Sequence, residues 1–416
     1  MRILHIVHRY LPVQGGAEVY LHEIGRRLAA EGHRVRVYTT DVLDAEGFGR
    51  RGMRKVPPDA PSWIDGVRVK RFPVTVLPQH WRVARLLGAM PVPYLRSTFA
   101  LPGPWLPGLV RHSRRDGPFQ VVNASAYPGL MYLGSRIAQQ KGAALILTPH
   151  IHLGEPDSRS LARTFLAPHN LRLYNSADCV FVLTEIEKRA LIQAGVEEEK
   201  ILVTRAGVTP SQVLGGQGER FRRKHSIASS AALVTQLSMK VYDKGITHTI
   251  RAMERVWQQR EGVRLVLAGG TTTFFQRFYA RLSPDVKRRC LSLDYISQEE
   301  KRDLLEATDL LVMPSRADSF GIAFLEAWLY GKPVIGALAG GVPEVIEDGV
   351  DGFLVPFGDE ESLAQRIKLL LDDPHLAHQL GENGRRKVLE RLTWDALYPP
   401  IRAAYESLGQ GTDPSQ

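Results

Sequence analysis

Asp318 and Glu326 are two carboxylates separated by seven residues in the stretch SRADSFGIAFLEAWLYGKPVIG, residues 315–336. Between them stands Ser319-Phe320-Gly321, a polar hinge ahead of an apolar run, Ile322, Leu325, Ala327, Leu329 and Tyr330, that Gly331 stops. That pattern predicts a helix over 322–330, with Asp318 in the loop before it and Glu326 in its second turn. The first amides of a helix lack intrahelical partners and sit at the positive end of its dipole. Such an end suits phosphate, and Gly321 lets a ligand come close to the backbone. Ser319, Phe320, Gly321 and Ile322 are therefore candidate phosphate contacts, flanked by Asp318 and Glu326. The competing reading is an ordinary N-cap by Asp318 or Ser319, with Glu326 solvated.

Elements that position this block can be read around it. Leu310-Leu311-Val312-Met313, closed by Pro314, is a short apolar run bounded by a breaker, the pattern of a buried parallel strand. Further strands are expected at 2–8, 35–39, 119–124, 144–148, 179–184, 232–237, 263–267 and 291–296. Helices are expected at 17–30, 129–140, 185–194, 246–259, 298–307, 361–371, 376–391 and 394–408. Alternation of strands and helices predicts an α/β protein with parallel sheets. The opening strand is followed by Gly15-Gly16 and a helix, the start of a Rossmann-like unit. No G-x-G-x-x-G is present, which disfavours a dinucleotide oxidoreductase.

The block around Asp318 resembles the acidic-x7-Glu signature of retaining glycosyltransferases of family 4, which have the GT-B fold of two Rossmann-like domains facing each other across a cleft. Pro314-Ser315, Phe320-Gly321, Glu326-Ala327 and Gly331-Lys332-Pro333-Val334 match. So do Gly340-Gly341-Val342-Pro343-Glu344-Val345-Ile346, Asp348-Gly349, Gly352-Phe353-Leu354-Val355 and Asp359. Asp318 replaces the family's usual Glu.

The resemblance implies an acceptor-side domain at 1–206, a nucleotide-sugar-binding domain at 207–392, and a C-terminal helix, 393–416, crossing back to the first. It implies transfer of a sugar from a nucleoside-diphosphate sugar to an acceptor hydroxyl with retention and no cofactor, and the lack of any cluster with metal-ligand spacing in the sequence predicts metal independence. In that reading Glu326 binds the ribose, Asp318 orients the donor sugar, and His150, in Thr148-Pro149-His150-Ile151-His152, sits beside the reacting centre. Gly15 and Gly16, within Gly15-Gly16-Ala17-Glu18, face the donor. The family's Gly-Arg…Lys-Gly loop, whose Arg and Lys hold the diphosphate, corresponds to 238–245: Lys244-Gly245 is kept, but Met239 stands at the Arg position, with Lys240 beside it as the expected substitute. The usual Asn-Gly-Val-Asp segment is reduced to Gly207-Val208 between Ala206 and Thr209. Alternatives are a GT-B epimerase or phosphorylase, or a nucleotide-sugar-binding protein without turnover, for which Met239 is the main argument.

Charge is uneven. Of 54 Lys and Arg and 44 Asp and Glu, residues 1–206 hold 28 and 17. A basic first half points to an acidic partner: an anionic membrane face or a phosphorylated or lipid-linked acceptor. No nucleic-acid module is visible. Trp81, Tyr94, Phe99 and Trp105 lie among basic residues, a composition for a membrane interface or an acceptor pocket. The 416 residues, 44% of them hydrophobic, suffice for two or three domains. No apolar run is long enough to span a bilayer. The opening MRILHIVHRY reads as a strand rather than a signal peptide. Cys179 and Cys290 are expected to be buried free thiols in a reducing cytoplasm, the enzyme working there or at the inner membrane face.

Overall fold

The computed structural model describes residues 1–13, 15–44, 48, 53–76, 80–92, 95, 103–155 and 161–411, with the backbone alone described at residues 80, 81, 84 and 85. They fall into two compact units. One comprises Met1–Ile151, Ser160–Arg205 and Tyr398–Gln416; the other comprises His152–Arg159 and Ala206–Leu397. The brief membership of residues after Ile151 in the second unit has no counterpart in the sequence pattern.

In the first unit the strands are β1 (Arg2–Ile6), β2 (Arg34–Thr40), β3 (Trp63–Ile64), β4 (Val67–Phe72), β5 (Val121–Ser125), β6 (Ala144–Thr148), β7 (Cys179–Val182) and β8 (Ile201–Val203). They form one sheet in the order β3-β4-β2-β1-β5-β6-β7-β8. All pairings are parallel except β3 with β4. Every residue of β5 and β6 is buried. Apolar side chains on both faces are what a sheet sandwiched by helices requires. The helix Gly16–Ala30 buries Tyr20, Leu21, Ile24 and Leu28. The helix Trp394–Gln410 contains Pro399 and Pro400 where the chain passes from one unit to the other. Its Tyr405 is anchored inside the first unit: Asn123 Nδ2 donates to the Tyr405 hydroxyl at 2.7 Å, and that hydroxyl meets His5 Nε2 at 3.0 Å.

The second unit has β9 (Ala232–Leu237), β10 (Val263–Ala268), β11 (Cys290–Leu293), β12 (Leu310–Met313), β13 (Val334–Ala337) and β14 (Phe353–Val355), all parallel, in the order β11-β10-β9-β12-β13-β14. Its core shows why the strand segments read as apolar runs. Val234, Leu265, Leu267, Val312 and Ile335 pack against the helix Ile246–Gln259 on one face. Leu233, Val266 and Ala268 pack against Phe221, Leu304 and Ala307 on the other. Burying each such side chain contributes about 1.5–3 kcal/mol. The helix Ile322–Leu329 is held by Phe324, Leu325 and Trp328, all at 0% exposure. Trp328 Nε1 also donates to the Asp351 carbonyl at 2.8 Å.

Both sheets share one topology. Chain order runs outward from a central strand in one direction, then returns to its other side. The reversal lies between β1 and β5 in the first unit and between β9 and β12 in the second. Loops leaving the carboxyl ends of two such strands diverge and leave a crevice, the usual ligand position in open α/β sheets. Gly15 and Gly16 follow β1. Lys244 follows β9, and Asp318 follows β12.

Candidate functional site

The loop after β9 ends in Tyr242-Asp243-Lys244, then Gly245 begins the helix Ile246–Gln259. Gly245 has φ 72°, and a side chain there would strike the Pro314 carbonyl of the neighbouring loop. Glycine is thus required both for the left-handed turn and for the close approach. From β9, Gln236 Nε2 donates to the Lys244 carbonyl at 2.7 Å and fixes the end of the loop.

Across the reversal, the loop after β12 is tied to that segment. Arg316 donates through Nε to Asp243 Oδ1 at 2.8 Å, and its backbone N–H donates to the Asp243 carbonyl at 3.0 Å. The Ser315 hydroxyl donates to the same carbonyl at 3.2 Å. The Arg316 guanidinium lies over the rings of Tyr242 and Phe357 at 5.2 and 5.0 Å. Cation–π contact and ion pairing together hold Arg316 in one place. Neither Gln236 nor Arg316 stood out in the sequence. Both act through backbone carbonyls or loop partners that no local pattern announces.

These ties bring Lys244 to Asp318. Lys244 Nζ donates to the Ala317 carbonyl at 3.0 Å and forms an ion pair with Asp318 Oδ1. The Asp318 side chain is 13% exposed. Burial pushes its pKa up, but the adjacent Lys244 ammonium outweighs this and holds the carboxyl below its ordinary range. The second oxygen, Oδ2, is buried and has no hydrogen-bond partner among the described residues. A buried acceptor left without a donor is costly, so it marks a position that a ligand hydroxyl can satisfy.

Asp318 leads into the helix Ile322–Leu329, whose N-cap is Gly321 with φ 87° and which has no side-chain cap. An ordinary N-cap by Asp318 or Ser319 is therefore not what forms. Ser319 and Phe320 are buried at 7% and 4% exposure, whereas Gly321 and Ile322 are half-buried. Glu326 lies one turn on and is not solvated: its side chain is 12% exposed, and Oε1 accepts from Lys301 Nζ at 2.5 Å. Lys301 comes from the helix Gln298–Ala307. Sequence reasoning missed it because one lysine on a charged helix face carries no distinguishing signal. The Asp318 carbonyl accepts from Gly341 N–H at 3.0 Å, and Gly340 N–H donates to the Gly154 carbonyl at 2.8 Å. His152, in the same short segment, loses solvent around its ring. That loss, with the Lys244 ammonium adding to it, draws its pKa down to about 4.

Lys240 corrects an expectation. Its side chain is fully buried, and Nζ donates to the carbonyls of Gly269 at 2.8 Å and Leu293 at 2.5 Å and to Thr271 Oγ1 at 2.9 Å. An ammonium has three protons. All are used inside the fold, so Lys240 does not replace the cation missing at Met239.

In the first unit, Gly15 caps the helix Gly16–Ala30 with extended backbone, and Gly16 is exposed. A side chain at Gly15 would collide with the Glu18 carboxylate. Glu18, 1% exposed, accepts from Arg9 Nε at 2.9 Å and lies 3.2 Å from His8 Nε2. His150 follows β6 with φ 47°, a left-handed conformation rarely held by a residue with a side chain. Its Nε2 meets Ser125 Oγ at 3.1 Å, and its ring stands edge-on to Tyr20 at 5.4 Å. The Tyr20 hydroxyl is paired with Thr204 Oγ1 at 2.7 Å. Strain of this kind persists where neighbours enforce it and is common at functional sites.

Of the aromatics named for a membrane or acceptor contact, the side chain of Trp81 and residues Tyr94 and Phe99 lie outside the described residues, and Trp105 is half-buried. The helix His80–Ala89 and the turn after it expose Leu86 at 71%, Met90 at 43% and Val92 at 42%. Among the described residues no helix is long and apolar enough to cross a membrane, and no group of three His, Cys, Asp or Glu side chains is arranged to hold a metal. Cys179 and Cys290 are free thiols.

The family model for glycosyl transferases group 1 matches residues 217–387, and the model for a glycosyl transferase 4-like domain matches residues 15–207. Between them they cover most of both units, leaving residues 1–14, 208–216 and 388–416 unmatched. The chain belongs to the group 1 glycosyltransferases of the GT-B fold. It is 27% identical over 427 residues to the MMP alpha-(1->4)-mannosyltransferase of Mycolicibacterium hassiacum, an alignment covering 98% of each chain. A glycosyltransferase of Methanocaldococcus jannaschii is 25% identical over 233 residues, 55% of this chain and 59% of that protein. Among solved structures, Anabaena HepE in complex with UDP and glucose superposes with a TM-score of 0.73 at 21% identity, over 98% of this chain and 100% of that one.

Proposed function

We propose that this glycosyltransferase moves a sugar from a nucleoside-diphosphate sugar to an acceptor hydroxyl with retention of configuration, in glycan or glycolipid synthesis. The observation that carries the reading is the second unit's crevice: a lysine–aspartate pair with an unmet buried carboxylate oxygen, beside an uncapped helix N-terminus. Lys244 and the amides of Ser319–Ile322 hold the diphosphate. Two of the three Lys244 protons are engaged by Ala317 and Asp318, and the third serves a phosphate oxygen. Asp318 Oδ2 accepts from a donor-sugar hydroxyl, and Glu326, fixed by Lys301, accepts from the ribose. Gly15 and Gly16 supply backbone toward the donor, and His150 contacts the reacting sugar.

Transfer proceeds on one face of the sugar. The acceptor oxygen bonds to the anomeric carbon as the bond to the β-phosphate oxygen breaks, and the acceptor proton passes to that leaving oxygen. The charge that develops on the diphosphate is met by Lys244 and the helix amides rather than by a metal. HepE holding UDP and glucose, and a relative named as GDP-mannose-dependent, support a nucleotide-sugar donor without fixing the base. The exposed apolar residues of the helix His80–Ala89 and of the turn after it, in a basic unit, support contact with an anionic membrane face from the cytoplasmic side and an acidic or lipid-linked acceptor.

Titration calorimetry with UDP-, GDP- and ADP-sugars tests the reading. One of them binds, and Lys244→Ala weakens it by about 10–100-fold, the range for losing a charge-assisted contact. Full affinity in that variant removes the diphosphate role. A second reading, nucleotide-sugar binding without turnover, is favoured by one observation: Met239 brings no cation, and Lys240 turns inward. Binding without product across acceptors would select it.

A further inference from the structure

Lys240 uses all three protons of its buried ammonium, and its bonds join strand ends. Its Nζ reaches the Gly269 carbonyl and Thr271 Oγ1 beyond β10, and the Leu293 carbonyl at the end of β11. Its own N–H donates to the Gly270 carbonyl at 2.9 Å, and its carbonyl accepts from Thr272 Oγ1 at 2.6 Å. The side chain has 0% exposure and passes the Phe275 ring at 5.3 Å. Around this centre, Thr271 N–H donates to Asp294 Oδ1 at 3.0 Å. The Tyr295 hydroxyl lies so close to Gly270 that a side chain there would meet it at 2.5 Å.

A buried ammonium is expensive unless every proton is satisfied. This one is satisfied only when the ends of β9, β10 and β11 are in register. The same loop, four residues on, carries Lys244, whose carbonyl is held from β9 by Gln236. Lys240 therefore anchors the near end of the segment whose far end reaches Asp318. It also anchors the Gly269–Thr271 turn at the carboxyl edge of the sheet.

We infer that Lys240 is a positioning residue for the donor nucleotide, setting the Lys244 loop and the Gly269–Thr271 turn without touching the ligand. The inference rests on the donor reading above. It differs from a phosphate contact in what it predicts for a ligand that has no phosphate.

The test compares UDP with uridine, or GDP with guanosine if the protein takes guanine, in wild type, Lys240→Met, Lys240→Arg and Thr271→Val. Calorimetry serves the diphosphate and saturation-transfer NMR the nucleoside. Lys240→Met weakens diphosphate and nucleoside alike, by about tenfold. It raises the donor KM with kcat within about twofold, because ground state and transition state lose equally. Lys240→Arg keeps donors at the position and recovers part of the loss. Thr271→Val removes a single acceptor, is gentler on folding, and weakens both ligands by about threefold. If Lys240→Met does not fold, Thr271→Val decides. A loss confined to the diphosphate, or no loss in Thr271→Val and Lys240→Met, overturns the positioning role. If the wild type binds no nucleotide or nucleotide sugar at all, the donor reading falls first and takes this inference with it.

Discussion

The two units finish the same topology differently at the point where strand order reverses. In the first unit the residues after β1 close on themselves: His8, Arg9 and Glu18 are buried, and Glu18 meets both bases directly. In the second unit the residues after β9 and β12 remain partly open. Lys244 and Asp318 form one pair, and Asp318 keeps a second oxygen unmet. One fold thus supplies two crevices, and the sheet alone does not decide which binds. The decision lies in whether the carboxylates are saturated: among the described residues no Glu18 oxygen is buried without a partner, whereas Asp318 Oδ2 is, although His8 Nδ1 in the first unit is also buried without one. A saturated network stabilises its own unit, whereas an unsaturated one retains interactions for a ligand.

The largest expected effect breaks the second crevice. Asp318→Asn keeps the shape but leaves Lys244 without its anion and gives the donor sugar an amide in place of a carboxylate. In a nucleotide-release assay with the sugar that the wild type uses, kcat falls by about 10²–10³-fold, as for other groups aimed at the reacting centre. The melting temperature stays near that of wild type. A variant that melts far lower and retains turnover would make Asp318 a structural residue like Glu18.

Glu18→Gln is the counterpart in the first unit. Removing one partner of a buried ion pair costs about 3 kcal/mol, which lowers Tm by about 6–12 °C in a unit of this size. The same pair predicts a pH dependence. Burial would raise the Glu18 pKa, but Arg9 and His8 pull it down from 4.5 to about 2. A carboxylate bound more strongly as the anion in the folded state contributes stability above its unfolded pKa. That contribution is lost as pH falls from about 4.5 toward 2, because the unfolded chain takes up the proton first. Acid unfolding monitored by circular dichroism shows this slope in wild type, and Glu18→Gln flattens it. A stable but inactive Glu18→Gln would make Glu18 itself a ligand contact rather than a structural residue.

Much of this contrast was legible before the structure, and the exceptions have physical causes. Strands β6, β9 and β12 and the helices Ile246–Gln259 and Gln298–Ala307 fall on their expected bounds. Sheets covered on both faces need continuous apolar runs, and helices need caps and stops. β4 escaped because Val67 and Val69 face the core while Arg68 and Lys70 are exposed, so a near-edge strand reads as a basic loop. Asp318, Lys244 and Glu326 were found because a motif fixes their spacing. Arg316 and Lys301 were not, because their ion pairs reach Asp243 and Glu326 in other segments, and Gln236 was not, because it binds a backbone carbonyl that no side-chain pattern announces. Lys240 was misplaced for a related reason. The sequence shows a lysine beside a missing arginine, and only the fold shows three acceptors behind it.

The smallest effect sharpens the comparison most. Glu326 is as buried as Asp318 and has its own lysine, so on contacts alone it resembles the saturated kind of carboxylate. It differs from Glu18 in geometry: one oxygen accepts from Lys301, and the helix start that would seat a diphosphate lies one turn away. A ribose holding two hydroxyls can use the remaining lone pairs without breaking that bond. Glu326→Gln keeps an acceptor and loses charge, so it weakens a hydrogen bond rather than abolishing it. The expected result is a donor KM raised about tenfold with kcat nearly unchanged, since the ribose stays in place during the reaction and binding is lost equally in ground and transition states. Lys301→Met frees the carboxylate and disturbs KM in the same direction. If Glu326→Gln instead lowers Tm and leaves KM alone, Glu326 belongs with Glu18. The second crevice would then hold its ligand by a single carboxylate, and saturation rather than position in the motif would be what sorts acidic residues in this molecule.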